Sequence, residues 1–447
     1  MTLKFGTDGV RGVAGRDLTP ELVVALGRAA ARSLGSDAPF LIARDTRRSG
    51  PMLEAALVAG ICAEGGSAEL LGVLPTPGLG GACVVAAAPG AMISASHNPY
   101  PDNGIKFFEA GGRKLRDETE ARIESELAAI LAEGSPPREG TGLGTATRVP
   151  GAIDAYVGRL VAAVDSETLR GLTIVLDCGH GAAFAAAPSA FVALGAEVLV
   201  RNAEPDGTNI NDRCGSTDPS GLITAVRNSG ADAGLAFDGD ADRVVAVDEQ
   251  GGLMDGDHLL AIAAIDLKAR GQLRGDAIAT TVMANLGLRR ALDRHSISVF
   301  ETPVGDRHLL AAMEEHDLVL GGEQSGHLIF GEHAVTGDGP LAGILLLEAK
   351  MRAGAPLSEM AAVVTKYPQV LRSVRVRELD GLAGADEFWI EVRAVEGALG
   401  AEGRVLVRAS GTEPVVRVMV EASDEGVASS AADRLTTALE AALGTAP

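Results

Sequence analysis

Apolar runs and amphipathic stretches alternate along most of the chain. Thr19-Pro20-Glu21 supplies a cap, a first-turn proline and an early acid, which predicts a helix to about Gly35. The apolar run 40–43 reads as a short buried strand, a helix follows from about Pro51, and 69–73 is again strand-like. Further strands are expected at 91–95 and 105–108, and a charged amphipathic helix at 116–131. From 134 to 148 Gly, Pro and Thr predominate, which predicts a linker. The alternation then resumes with strands 172–176 and 197–200 around a helix, helix 222–228, and strand 233–237. Segments 243–247 and 252–254 flank Glu249-Gln250-Gly251 as a hairpin. A third stretch repeats the order: helix 257–269, strand 277–282, helix 287–294, strand 297–300, helix 306–315, strand 318–320.

Such alternation implies mainly parallel sheets covered by helices. After Tyr367-Pro368 it gives way to strands at 370–376, 389–393, 404–408 and 415–421, then a last helix from Glu425 to Leu443. We therefore expect an α/β protein with three similar α/β domains, 1–149, 150–250 and 251–366, and a smaller α+β domain, 367–447. A chain of 447 residues is too long for one core, in keeping with several domains.

Composition narrows the function. Apolar residues make up 46% and charged residues 22%, so the chain is globular, and with aromatics at 3% its cores must be built from Ala, Val and Leu. The net charge of −21 argues against nucleic acid as a partner, because binding it needs a basic face. An anionic ligand would need local arginines to invert the field, and Arg11, Arg243, Arg307, Arg408 and Arg417 are candidates. Cys62, Cys83, Cys178 and Cys214 lack C-x-x-C spacing and read as buried free thiols. The first eight residues have no signal-peptide core, and no apolar run reaches the ~18 residues of a membrane span. The expectation is a soluble cytoplasmic protein with no membrane partner.

Two motifs carry candidate chemistry. Ser96 follows the apolar run 91–95, at the loop position where open α/β sheets bind ligands. Asp238, Asp240 and Asp242 follow strand 233–237, and three such carboxylates would repel one another without a cation. Hard oxygen ligands in a small loop favour Mg²⁺. Alone, Ser96-His97-Asn98-Pro99 also suits an ordinary turn, and the Asp run an acidic turn. A calcium loop fits less well: Glu249 stands at its twelfth position, but Arg243 occupies the sixth, where glycine is expected.

The chain resembles the α-D-phosphohexomutase superfamily through five motifs in order. They are Phe5-Gly6-Thr7-Asp8-Gly9-Val10-Arg11-Gly12, Ser96 through Lys106, Asp238 through Arg243, Gly322-Glu323-Gln324-Ser325-Gly326-His327, and Arg408-Ala409-Ser410-Gly411-Thr412-Glu413-Pro414. Gly6-Thr7-Asp8-Gly9, Gly305-Asp306-Arg307 and Gly411-Thr412-Glu413-Pro414 look most like its bacterial glucosamine-phosphate branch. Ala241 departs from a common glycine, and His180 in Asp177-Cys178-Gly179-His180-Gly181 replaces a common Asn and reads as structural.

The resemblance implies four domains around a central cleft, a phosphoserine at Ser96, and Mg²⁺ held by Ser96, Asp238, Asp240 and Asp242. It implies isomerisation of glucosamine 6-phosphate to glucosamine 1-phosphate through glucosamine 1,6-bisphosphate, feeding UDP-N-acetylglucosamine and cell-wall precursors. Lys106 would move a proton beside the sugar hydroxyl, with Arg11, His97 and Arg243 around it. Glu323, Ser325 and His327 would meet the sugar, with Gly305, Asp306 and Arg307 in the third domain. Arg408, Ser410, Gly411, Thr412 and Arg417 would grip the non-reacting phosphate. Glucose or mannose phosphates remain alternative substrates. A metal-dependent phosphohydrolase or a non-catalytic sugar-phosphate sensor are readings from other classes, and neither has a use for all five motifs. A homodimer, and activation by a kinase or by autophosphorylation, are left open.

Overall fold

The computed structural model describes residues 9–35, 37–134, 136, 138–377, 379, 381–410 and 414–444. Phe5 to Asp8 of the first motif and Gly411, Thr412 and Glu413 of the last lie outside the described residues.

Four sheets follow one another along the chain. The first contains β1 (Val10–Val13), β2 (Phe40–Arg44), β3 (Ala68–Val73), β4 (Gly90–Ile93), β5 (Asp102–Phe108) and β6 (Ala146–Arg148), in the order β1-β5-β4-β2-β3-β6. Its centre is parallel, while β5 runs antiparallel to both β4 and β1. The second contains β7 (Thr173–Asp177), β8 (Glu197–Arg201), β9 (Ala233–Phe237), β10 (Val244–Asp248) and β11 (Leu253–Met254), in the order β11-β10-β9-β7-β8. The third joins β12 (Ala277–Thr281), β13 (Ser298–Thr302), β14 (Leu320–Gly322) and β15 (Leu328–Phe330), in the order β13-β12-β14-β15. The fourth is antiparallel: β16 (Gln369–Arg375), β17 (Gly403–Ala409) and β18 (Val415–Ala422), in the order β16-β18-β17.

Local chemistry explains the helices. Thr19 caps Pro20–Leu34, its hydroxyl accepting from Leu22 N at 3.3 Å, and Gly35 ends the helix at φ 88°. Asp338 caps the buried helix Gly339–Ala353. The hairpin is present, with β10 antiparallel to β11.

Three expectations need correction. Segment 389–393 lies in the helix Asp386–Leu399, because Phe388, Val392 and Val395 form one buried helical stripe while Ile390 faces out. Its local alternation of apolar and polar residues imitates a strand. The 134–148 stretch is more than a linker, since β6 closes it by pairing parallel with β3. The strand expected at 91–95 ends at Ile93, so Ser94 already belongs to the loop. The four cysteines are free thiols, with Cys62 only partly buried.

The packing separates the fourth domain from the rest. One continuous apolar core runs from Leu41 and Met92 through Leu176 and Phe237 to Leu288 and Leu347. Val374, Phe388, Val418 and Leu435 form a core of their own. The fourth sheet is attached through polar contacts: Asn285 Nδ2 donates to Glu421 Oε1 at 3.1 Å, and Arg404 pairs with Glu421 and donates to Val282 O at 3.0 Å. Among the described residues no helix is long and apolar enough to cross a membrane.

Candidate active site

Ser96 sits just past the C-terminal end of β4, at φ 52°. Non-glycine residues reach this left-handed region rarely and need support from their surroundings. The support is a buried network. Arg47 Nη2 donates to Ser96 O at 2.9 Å and Asn98 O at 2.7 Å, and Nη1 to Pro99 O at 2.5 Å and Asp102 O at 3.0 Å. Its Nε is held by Asp45 at 2.8 Å. Asp45 also accepts from Ser94 Oγ at 2.6 Å, and that hydroxyl receives Ser96 N at 2.9 Å. From the second domain, Asn211 Nδ2 reaches the same two carbonyls, Ser96 O at 2.9 Å and Asn98 O at 3.1 Å.

The Asp loop follows β9 and turns back into β10, with Ala241 at φ 57°. The missing glycine at this position therefore leaves a residue with a side chain in a left-handed turn. Gly239 cannot be replaced so easily: a Cβ there would lie 2.4 Å from Ser96 O. Ser96 Oγ donates to Asp238 Oδ2 at 2.5 Å, which joins the two motifs across the domain boundary.

Asp238, Asp240 and Asp242 are buried, and one ligand oxygen from each lies within 4.8 Å of the others. Burial first, then Asp242 and Asp240, push Asp238 well above the usual carboxylate range. Burial also opposes ionisation of Asp242, but Lys106, His327 and Arg243 outweigh it and hold that group low. Asp240 Oδ1 and Asp242 Oδ1 are buried with no hydrogen-bond partner among the described residues. An all-oxygen, three-carboxylate cage with two unused oxygens fits a hard divalent cation.

Lys106, on β5, is fully buried, with Nζ 2.9 Å from Asp240 Oδ2 and 3.8 Å from Asp242 Oδ2. A lysine tuned toward neutrality by another cation would be a ready base, but these neighbours are anions and favour the ammonium. Thr76 Oγ1 donates to the same Asp240 oxygen at 2.6 Å. Arg11, on β1, lies opposite Gly104 of β5. His97 Nδ1 stands 3.5 Å from Ser96 Oγ and 3.3 Å from Arg243 Nη1. Burial, Arg243 and Arg11 lower its pKa, so His97 is neutral near pH 7.

The sugar-loop residues come to the same place. His327 Nδ1 is 3.6 Å from Asp242 Oδ2, and its Nε2 accepts Gly337 N at 3.1 Å. That backbone donor assigns the proton of the neutral ring to Nδ1, facing Asp242. Glu323 accepts from Gly305 N and from Ser325 Oγ, each at 3.2 Å. Gly326, at φ 89°, lets the loop lie against β10, where a Cβ would approach Val244 O to 2.0 Å. Asp306 pairs with Lys114 at 2.5 Å, and Arg307 with Asp117 and Glu120, so this segment ties the third domain to the first.

Arg408 and Arg417 lie directly opposite each other on β17 and β18. Burial and Arg417 lower the Arg408 pKa, and neither guanidinium has an acidic partner among the described residues. Ser410 is buried at the end of the same hairpin, its N donating to Val415 O at 2.8 Å. Two unneutralised guanidiniums side by side form an anion site in waiting.

Arg47, Asp45, Ser94, Thr76 and Asn211 were not singled out from the sequence. Asp45-Thr46-Arg47 follows β2 at the ligand-bearing end of the sheet, which was a usable signal. Thr76 opens the helix Thr76–Ala86 and Asn211 lies in a turn, neither within a recognisable pattern.

A serine hydroxyl over three carboxylates, a buried lysine and a separate arginine pair make a site for phosphoryl transfer on a small anionic substrate. The chain belongs to the phosphoglucomutase/phosphomannomutase family: residues 2–133, 154–252 and 255–367 match its alpha/beta/alpha domains I, II and III, and 359–438 its C-terminal domain. A phosphoglucosamine mutase from Symbiobacterium thermophilum is 50% identical over 450 residues, covering 98% of this chain and 100% of that protein. One from Saccharopolyspora erythraea is 49% identical over 97% of this chain and 98% of its own. A solved family member from Burkholderia thailandensis has a TM-score of 0.80 at 26% identity, covering 98% of this chain and 97% of its own. N-acetylphosphoglucosamine mutase from Aspergillus fumigatus, in complex with GlcNAc-6P and magnesium, shares the fold with a TM-score of 0.71 at 19% identity, over 99% and 96% of the two chains. By function the chain is an isomerase of the phosphoglucosamine mutase type.

Proposed function

We propose that Ser96, as phosphoserine, donates its phosphoryl group to glucosamine 6-phosphate and recovers one from the resulting glucosamine 1,6-bisphosphate, releasing glucosamine 1-phosphate. The observation that carries this reading is the 2.5 Å contact from Ser96 Oγ to Asp238, inside a buried three-carboxylate cluster. In the first half, the substrate hydroxyl oxygen forms a bond to phosphorus while the Ser96 Oγ–P bond breaks. In the second, after the sugar has reversed in the cleft, Ser96 Oγ bonds to the other phosphorus while the sugar O6–P bond breaks, and the serine proton passes to the freed sugar oxygen. Mg²⁺ held by Asp238, Asp240, Asp242 and an oxygen on Ser96 supplies positive charge to the transferring group.

The protein's own groups do the rest. Lys106 and Arg11 donate to the oxygen of the acceptor hydroxyl, Lys106 as the ammonium its anionic neighbours favour, and the hydroxyl proton ends on Ser96 Oγ as the Oγ–P bond breaks. His97, fixed by Arg243, orients the serine oxygen. Glu323, Ser325 and His327 bind sugar hydroxyls, and Gly305, Asp306 and Arg307 border them. Arg408, Ser410 and Arg417, with Gly411 and Thr412, grip the phosphate that is not reacting, which gives binding energy remote from the chemistry. In this scheme domains 1–149, 150–250, 251–366 and 367–447 contribute one loop each, and initial phosphorylation comes from bisphosphate, a kinase or the protein itself.

Kinetics on glucosamine, glucose and mannose phosphates, together with intact-protein mass spectrometry, test the reading. The highest kcat/KM belongs to the glucosamine compounds, the purified protein carries one phosphate on part of its molecules, and Ser96→Ala loses both the phosphate and turnover. Full turnover in Ser96→Ala, or steady release of inorganic phosphate in place of isomerisation, rejects it.

A further inference from the structure

Thr76 belongs to the first domain but closes on the Asp loop of the second. After β3, Pro75 adopts φ −54° and ψ 146°, and Pro77 follows in the first turn, so the helix Thr76–Ala86 opens with Thr76 between two prolines. The first N–H of a helix has no acceptor within it, and Thr76 N donates to Asp240 O at 2.9 Å. The Thr76 hydroxyl goes to the same residue, donating to Asp240 Oδ2 at 2.6 Å. Thr76 is fully buried, and its branched Cβ leaves χ1 little freedom. One residue therefore grips Asp240 by both its backbone and its side chain.

Two donors meet on one oxygen there. Lys106 Nζ donates at 2.9 Å to the Oδ2 that Thr76 already holds, which fills both lone pairs of that oxygen. Asp240 Oδ1 is buried without a hydrogen-bond partner among the described residues, so it is the atom left for a cation. With Oδ2 filled, Asp240 can bind an ion through Oδ1 alone. The restriction bears on which ion fits. Mg²⁺ demands near-octahedral geometry and keeps several waters, whereas the larger Ca²⁺ takes more oxygens and accepts both oxygens of one carboxylate. We propose that Thr76 is a positioning residue that confines Asp240 to one-oxygen coordination and thereby shifts the preference of the carboxylate cluster from Ca²⁺ toward Mg²⁺. The proposal rests on the reading of Asp238, Asp240 and Asp242 as the metal site. Without the hydroxyl, Oδ2 keeps only Lys106, and the carboxylate is free to turn both oxygens toward a larger ion.

Calorimetric titration of the full chain with MgCl₂ and with CaCl₂ tests it independently of activity. Thr76→Val keeps the shape of the side chain and removes the donor. Its Mg²⁺ affinity should fall by about tenfold or more, the usual scale for losing a partner of a metal ligand, while its Ca²⁺ affinity holds or rises. Thr76→Ser retains the hydroxyl and should keep the wild-type preference. A residue that only braced the two domains would weaken both ions alike when replaced. Equal losses or an unchanged preference in Thr76→Val therefore overturn the proposal, as does a Thr76→Ser variant that behaves like the valine one. If Thr76→Val does not fold, Thr76→Ala removes the same donor without adding bulk and is read in the same way. Asp240→Asn separates this proposal from the metal reading beneath it. Wild-type Mg²⁺ binding in Asp240→Asn rejects both. Loss of Mg²⁺ in Asp240→Asn, with the wild-type preference kept in Thr76→Val, rejects the role of Thr76 alone.

Discussion

Arg47 Nη2 lies 2.9 Å from the carbonyl oxygen of Ser96, and the whole guanidinium is buried beneath the loop that carries the serine hydroxyl. Ser96 keeps its left-handed backbone because this fork, and Asn211 from the neighbouring domain, hold the peptide from below. Oγ is thereby aimed at Asp238 before any substrate arrives.

Arg47→Lys keeps a positive charge for Asp45 but cannot reach four carbonyls with one ammonium. The unsatisfied carbonyls should cost about 1–3 kcal/mol of stability. A serine displaced by ~1 Å should lower kcat by about 10²-fold, with a smaller change in KM. Thermal melts and steady-state kinetics measure the two effects separately. Asn211→Ala, which removes only the support from the second domain, should show a milder form of the kinetic defect at nearly wild-type stability. Wild-type kcat in both variants would show that the loop holds itself in place.

Asp240 Oδ2 receives both Thr76 and Lys106, while its Oδ1 has no partner among the described residues. Asp240→Asn replaces one oxygen with an NH₂ group that repels both a cation and the ammonium. Turnover should fall by about 10²–10³. Titration calorimetry should also show weaker Mg²⁺ binding, independently of activity. Turnover within a few-fold of wild type, together with unchanged Mg²⁺ binding, would place the cation elsewhere.

The sequence exposed the chemistry of this site more readily than its support. Ser96, the Asp run and Glu323 are legible because each follows an apolar strand and carries a reactive side chain. Arg47 and Asn211 act through backbone carbonyls some 50 and 115 residues away, distances that no local pattern records. The same limit explains Asp386–Leu399: five residues of apolar-polar alternation suggest a strand, and only the stripe from Phe388 to Val395 shows the helix. β6 was missed because a three-residue edge strand in a Gly- and Thr-rich stretch has too few apolar positions to register.

Asp338 caps the helix Gly339–Ala353 and accepts Tyr156 Oη at 2.8 Å and Leu341 N at 3.0 Å. The next residue, Gly339, donates to Ala241 O in the metal loop at 3.0 Å, and Gly337 donates to His327. Burial raises Asp338 to about 6, against the pull of those donors and Arg159. A carboxyl raised on folding holds an extra proton in the native state. Its stabilising contribution is therefore complete below the unfolded value of ~3.9 and is lost as pH rises through about 6. The effect is at most about 3 kcal/mol. Asp338→Asn retains an oxygen for both hydrogen bonds and does not titrate. Between pH 5 and pH 8 its melting temperature should fall less than that of the wild type, and parallel pH profiles would show that Asp338 does not titrate in this range.

Arg408 and Arg417 face each other across the fourth sheet, and like charges directly opposite destabilise a strand pair. That cost should be offset when an anion lies between them. Inorganic phosphate should therefore raise the melting temperature of the wild type and have little effect on Arg408→Ala. In the proposed scheme this loop grips the phosphate that is not reacting, so Arg408→Ala should raise KM more than it lowers kcat. The bisphosphate must reverse while the protein keeps hold of it, and a weaker grip lets it escape. Each escape leaves Ser96 without its phosphoryl group. The variant should therefore lose activity during turnover and regain it when glucosamine 1,6-bisphosphate is added. Neither a phosphohydrolase nor a sugar-phosphate sensor has a reason to behave this way. Linear progress curves with wild-type KM, and no response to bisphosphate, would remove Arg408 from the substrate's path.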